Sequence, residues 1–243
     1  MRARRDETGL PALFGAFGIS ATPLIAAGAP FPLWLVRSCG APSASAGHLL
    51  SVAEGERAAR FRTARLRDRY VTAHAALRLL CEHQFGVDAA RQHFDLGDHG
   101  KPQLAGRSDA QCNMSYSGDH IVVAAGHGRP IGVDVERLRP IADAPGLIGE
   151  HYTPREGRAL ARVSRMGRGF DRAFLRVWVR KEACVKAAAK GLSIPLPDVQ
   201  CGIGSQATTV RIGDLNIRTG VAHACDRDIL PPGDLIIAWA QIC

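Results

Sequence analysis

Lysine is the scarcest charge in this chain: of 31 basic residues only Lys101, Lys181, Lys186 and Lys190 are lysines. Arginine supplies nearly every generic positive charge, so the retained lysines mark positions that want a compact, rotatable ammonium, such as a phosphate contact. Paired cysteines are missing too. The seven cysteines are odd in number, scattered and free of any CxxC spacing, which excludes the usual zinc frameworks and a disulfide scaffold and points to reduced thiols in the cytoplasm. The nine histidines contain no HExxH pattern, so a zinc hydrolase of that type is excluded. Long apolar runs are also absent. The stretch 10–29 is broken by Pro11, Gly15, Gly18 and Pro23, which argues against a membrane span, and Asp6 and Glu7 stand where an export signal would be basic. Residues 1–30 are therefore expected to form a flexible extension. No short-period repeat or low-complexity segment is present.

What remains is the composition of a globular protein, 46% hydrophobic and 22% charged over 243 residues, enough for one large domain or two small ones. A formal charge of +8 with a pI near 9.5 favours anionic partners without choosing among them. Regular structure is expected to begin with a strand at 31–36, followed by a small-residue linker at 38–47. Ser51 and Glu54 make a capping box for a first helix. Leu66, Tyr70, Ala73, Leu77, Cys81 and Phe85 recur at helical intervals, with Gly86 as the stop. The other faces of that second helix carry Arg65, Arg67, Arg69 and Arg78, either a phosphate grip or a solvated basic face. Lys101 follows in the turn-forming stretch 98–102. Strands are expected at 121–125 and 131–136, then a helix capped by Thr153 and Glu156 that ends near Met166. From Pro195 onward the pattern turns to strands, near 199–203, 208–212, 215–219 and 235–242. Helices precede strands in each half, which indicates an α+β fold rather than a doubly wound parallel sheet.

Two stretches carry chemistry. In Gly132-Val-Asp-Val-Glu136 the strand period puts Asp134 and Glu136 on one face and Val133 and Val135 on the other. Two such carboxylates are hard oxygen ligands for a divalent cation carrying phosphate, or simply a solvated strand end. In 178–192, WVRKEACVKAAAKGL, Trp178, Glu182, Lys186 and Lys190 fall four apart, with Gly191 expected to stop the helix. Glu182 ahead of Lys186 reads either as an exposed helix pair or as a third carboxylate for the cation with an ammonium beside it.

Together these pieces resemble the 4'-phosphopantetheinyl transferases of the surfactin type. Gly132 to Glu136 looks like that family's GVDIE motif and Trp178 to Lys186 like its WxxKEAxxK motif; Gly100-Lys-Pro102, Asn113 to Ser117 and the helix from Arg69 to Arg78 stand in matching order. The resemblance covers about 31–243. It implies a monomer of two similar subdomains, 31–128 and 129–243, each with helices packed on a small, mainly antiparallel sheet, and an active site at their interface. It further implies magnesium-dependent transfer of the phosphopantetheine arm of coenzyme A to a serine of an apo acyl or peptidyl carrier protein, with release of 3',5'-ADP. In that pattern Asp134, Glu136 and Glu182 hold magnesium, Lys186 contacts the phosphates and Glu182 takes the serine proton. Coenzyme A is then met by Lys101, Ser115, Tyr116 and Lys186, with Arg57 and Arg60 near its 3'-phosphate. No nucleic acid or membrane is involved, and the carriers of such enzymes commonly present acidic helices.

One departure bears on affinity. The usual serine-histidine-serine segment is Ser115-Tyr116-Ser117, and a phenol cannot carry the imidazolium's charge, which leaves compensation to the arginines. Glu54 likewise stands where a basic phosphate contact is common. Two rival readings are a catalytically silent coenzyme A binding protein, for which Tyr116 is the support, and a basic protein that docks nucleic acid through 57–69, which leaves the three carboxylates unexplained.

Overall fold

The computed structural model describes residues 7–97, 100–167, 169–189, 193–224 and 235–243. Two compact units divide the chain, one comprising residues up to Leu24 and Pro30–Gly128, the other Ile25–Ala29 and Arg129–Cys243. Each packs helices on an antiparallel sheet, the α+β architecture expected from the order of helical and strand-like patterns.

In the first unit, helix α1 (Leu10–Ala16) and strand β1 (Ser20–Ile25) precede β2 (Leu33–Arg37). Residues 7–30 are therefore not an extension. Leu10 and Phe14, one turn apart, are fully buried, and the Phe14 ring lies 5.5 Å from that of Trp34. The breaks in this segment are punctuation: Pro11 sits in the first turn of α1, where its missing N–H costs nothing, and Gly18 takes φ 68° in the turn to β1. The supposed linker at 38–47 contains the short helix α2 (Ala44–Gly47), whose Ala46 is buried. Helix α3 (Val52–Ala59) starts at the Ser51/Glu54 capping box, and α4 (Ala64–Phe85) runs from Thr63 to the left-handed Gly86. Strands β3 (Phe94–Leu96), β4 (Pro102–Leu104), β5 (Ala110–Ser117) and β6 (His120–His127) complete a sheet of order β3-β4-β5-β6-β2-β1. The α4 positions Tyr70, Ala73, Leu77, Cys81 and Phe85 are buried, while Leu66 at the exposed first turn is not.

The second unit opens with β7 (Ile131–Arg137), then α5 (Ala144–His151), α6 (Pro154–Arg165) and α7 (Phe170–Ala188). Strands β8 (Thr208–Ile212), β9 (Leu215–Ala224) and β10 (Leu235–Ile242) form the sheet β8-β9-β10-β7. Gly132 is required here because a Cβ would fall 2.5 Å from the amide nitrogen of Ala187 and closer still to the carbonyl of Ala183. Helix α7 thus lies with its backbone directly on β7, the contact that brings their side chains together.

Three expectations are corrected in this unit. Residues 199–203 form no strand, because their backbone groups serve a buried ion pair instead. Glu156 accepts the amides of Cys201 and Gly202 at 2.8 and 2.9 Å, while Lys181 donates to the Val199 carbonyl at 2.6 Å and the Leu196 carbonyl at 2.8 Å. Lys181 itself is fully buried and pairs with Glu156 at 2.8 Å, so it is a structural anchor rather than a phosphate contact. Helix α7 is capped by Ala189 at φ 54°, two residues before Gly191; Lys190 and Gly191 lie outside the described residues.

Candidate active site

Between 177 and 187, α7 is buried at every position except Trp178, Glu182 and Lys186, which are half-exposed. Over this span the stripe is the one opening, flanked on both sides by buried positions, which is not the setting of an ordinary solvated pair. Nor do Glu182 and Lys186 pair as the simplest helix reading would have it. Lys186 Nζ reaches across to Asp134 Oδ1 at 2.6 Å, a contact that the close seating of α7 on β7 permits. Asp134 is nearly buried. Its β10 neighbour is the small Ala238, which leaves the strand face clear of bulk. Glu136, two residues on, is half-buried, with Arg139 at 3.8 Å.

Glu182 makes no hydrogen bond or ion pair among the described residues. Burial pushes its carboxyl pKa up, the negative charges of Asp134 and Glu136 push it further, and Lys186 and His151 pull it back only in part. His151, at the end of α5, sets its ring edge against Trp178 at 5.4 Å between centroids. Sequence reading passed over His151, for no spacing links it to α7.

Among the described residues no three His, Cys, Asp or Glu side chains converge closely enough to form a metal cluster. The donor set nevertheless fits a hard divalent cation. Glu182 feels the negative charge of both Asp134 and Glu136, and the ammonium of Lys186 stands against Asp134 as a cation would.

In the first unit Arg57 and Arg60 line a cavity of about 660 Å³. Its wall is built from α4: Tyr70, His74 and Arg78 fall four apart, the Tyr70 and His74 rings stack at 4.0 Å, and Arg57 stands 5.7 Å from the Tyr70 ring. Glu54 binds this wall together, accepting from His74 Nδ1 at 2.9 Å and from Arg78 Nη2 at 2.6 Å while closing its capping box. Burial alone would raise the Glu54 pKa, but the bonds from His74 and the Ser51 amide and the charge of Arg78 hold it down at about 2. Glu54 is thus committed to structure, which explains a carboxylate in a place where a basic residue is common. In the sequence Tyr70 belongs to the apolar face and Arg78 to the basic faces of this helix, and nothing in the spacing singles out His74.

Lys101, Ser115 and Tyr116 do not line this cavity, although their neighbours Pro102 and Met114 do. Lys101 is nearly buried, and desolvation lowers its ammonium pKa to about 8. Ser115 and Tyr116 are successive strand residues and so face opposite sides of β5. Tyr116 is 44% exposed, and the Arg69 guanidinium stacks over its ring at 4.3 Å while donating to the Gly118 carbonyl at 3.1 Å. A fixed positive charge accordingly stands beside the phenol.

Comparison with known proteins bears on the second unit most directly. Residues 130–239 match the 4'-phosphopantetheinyl transferase superfamily. They belong to it. Asp134, Glu136, Glu182 and Lys186 lie inside this superfamily match; Arg57, Arg60, Lys101, Ser115 and Tyr116 lie outside it. The chain is 33% identical over 147 residues to the 4'-phosphopantetheinyl transferase HetI of Nostoc sp. (strain PCC 7120), covering 59% of this chain and 61% of HetI. It is 29% identical over 123 residues to the 4'-phosphopantetheinyl transferase Sfp of Bacillus subtilis (strain 168), covering 49% of this chain and 51% of Sfp. Similarity to AcpT of Salmonella typhimurium is 32% over 96 residues, 37% of this chain and 46% of AcpT. The chain thus spans between about half and three fifths of the length of these relatives.

Proposed function

We propose that this chain transfers the 4'-phosphopantetheine arm of coenzyme A to a serine of an apo acyl or peptidyl carrier protein and releases 3',5'-ADP, as a holo-carrier-protein synthase. The observation that carries the reading is Glu182: a carboxylate with no hydrogen bond or ion pair among the described residues, on the open stripe of the 177–187 span of α7, beside Asp134, Glu136 and Lys186. The superfamily match over the residues bearing that set supports it.

In this reading the serine oxygen attacks the pyrophosphate phosphorus that bears the pantetheine, the new O–P bond forms, and the bond to 3',5'-ADP breaks. Glu182 takes the serine proton, directly or through a water. Lys186 neutralises phosphate oxygens as they gain charge, exchanging Asp134 for the substrate. Asp134, Glu136 and Glu182 would hold magnesium, and the chemistry supplied there is charge neutralisation at the pyrophosphate. Arg57 and Arg60 receive the 3'-phosphate end of coenzyme A, and Lys101, Ser115 and Tyr116 its other phosphates, with Arg69 restoring the charge that Tyr116 lacks. The enzyme works as a cytoplasmic monomer without nucleic acid or membrane; none of the described helices is long and apolar enough to cross one.

The test is intact mass spectrometry of apo carrier proteins incubated with the chain, coenzyme A and magnesium, with an EDTA control. The expected result is a metal-dependent gain of one phosphopantetheine. A folded protein that modifies no carrier from fatty acid, polyketide or nonribosomal peptide synthesis contradicts the proposal and leaves a coenzyme A binding protein as the reading.

A further inference from the structure

Helix α6 carries Arg155, Arg158, Arg162 and Arg165 at spacings of three, four and three, so all four lie along one side of the helix. All four are exposed, and none makes a hydrogen bond or ion pair among the described residues. The row is about 15 Å long at the helical rise. Met166, 79% exposed, stands just past its end. Arg162 and Arg165 in the last turn suit the helix dipole, but neighbouring like charges one turn apart repel, and Arg155 sits in the first turn, where the dipole favours an acid. The one acid of that first turn, Glu156, is withdrawn into the core. That withdrawal ties the stripe to the chemistry, since the Glu156–Lys181 pair fixes α6 on α7 one residue before Glu182, and the chain reaches Arg155 four residues after His151.

We propose that this arginine stripe is the docking surface for an acidic helix of the carrier protein, an inference that rests on the transferase reading. A carrier that brings its serine to Glu182 must lie against the elements around α7, and α6 offers there a straight row of cations matching the length of one facing helix, with an apolar end at Met166. Charge complementarity calls for an acidic partner, and the transfer reading, which needs a serine brought to Glu182, makes that partner a protein rather than a nucleic acid. The four arginines steer encounter and fix register, and transfer itself is left to α7 and β7.

The experiment compares the full chain with the quadruple variant R155Q/R158Q/R162Q/R165Q and the double variant R158Q/R162Q. Binding of a fluorescently labelled apo carrier protein of net negative charge is measured at low and high salt, alongside steady-state transfer. For the quadruple variant the expected result is about a tenfold rise in carrier Kd and KM and a flattened salt dependence, with kcat and the KM for coenzyme A within about twofold; the double variant shows about a threefold rise. Thermal melting checks the fold: relief of repulsion and loss of the two last-turn cations oppose each other, so the expected Tm is close to that of the parent chain. An unchanged carrier Kd and KM overturns the docking assignment while transfer stands. Stripe-dependent carrier binding without any mass gain keeps the docking assignment and refutes transfer. No carrier binding, or tighter stripe-dependent binding of a duplex oligonucleotide, overturns the assignment outright.

Discussion

Each unit is built around a long helix that carries an aromatic ring, a titratable group and a cation four residues apart: Tyr70, His74 and Arg78 on α4, and Trp178, Glu182 and Lys186 on α7. Each unit also has a capping box whose third residue is a glutamate that reaches a cation of the long helix. In the first unit Glu54 goes to the stripe itself and satisfies both His74 and Arg78. In the second, Glu156 turns away into the core to meet Lys181, and the stripe keeps Glu182 with no counter-ion of its own beside two further carboxylates. One wall is electrostatically closed and the other open. The difference teaches where chemistry can occur, for a balanced network builds a binding wall while an unbalanced one calls for a cation and a proton.

The sharpest way to break this contrast is Glu182→Gln. It is expected to lower transfer by about a factor of 10³ or more while raising the melting temperature of the metal-free protein, because it removes a charge that burial and like neighbours disfavour. Steady-state kinetics and a thermal melt on the same sample check both halves.

The two capping-box pairs give the next largest effect. Lys181→Met leaves Glu156 charged and sealed, and denaturant unfolding is expected to show a loss of about 3–5 kcal/mol. Glu54→Gln, at a wall with some solvent access, is expected to cost less, about 1–3 kcal/mol. Equal losses would erase the distinction between the fully sealed Glu156–Lys181 pair and the partly exposed Glu54.

Acid sharpens the comparison further. Glu54 titrates at about 2 in the fold against an ordinary 4.5. Its contribution to stability is therefore fully present above pH 4.5 and is lost as pH falls through about 2. Melting curves over that window are expected to fall less steeply in Glu54→Gln than in the parent chain.

The smallest effect concerns Lys101, held by desolvation at about 8 against an ordinary 10.5. Between those values the unfolded chain binds a proton that the folded chain has released, so stability rises with pH across the window. If Lys101 meets a coenzyme A phosphate, binding near pH 8 draws in a fraction of a proton. Calorimetry in buffers of different ionisation heat detects that uptake, and Lys101→Met abolishes it.

Much of this was legible in the sequence for a physical reason. Capping boxes, the Gly86 stop and the stripe on α7 are local patterns, and each formed at the residues that carry it. The same local rules misled where tertiary partners took over. Pro11 and Gly18 read as breaks until the burial of Leu10 and Phe14 showed them to be a helix start and a turn. Residues 199–203 had a strand's apolar alternation, but the Glu156–Lys181 pair claimed their backbone groups. Lys181 and Lys186 look alike by scarcity, and only the packing of α7 separates the internal anchor from the half-exposed ammonium beside Asp134. His151 carried no sequence signal, because its relation to Glu182 exists only once α5 packs beside α7.

The central claim, that the second unit is electrostatically open to a divalent cation at Glu182 while the first is closed at Glu54, is tested most directly by calorimetric titration of magnesium into three coenzyme A-loaded proteins: the parent chain, Glu182→Gln and Glu54→Gln. The account predicts a single magnesium site in the parent chain, its loss in Glu182→Gln and its persistence in Glu54→Gln. Equal magnesium binding by all three proteins, or none by the parent chain, would contradict it.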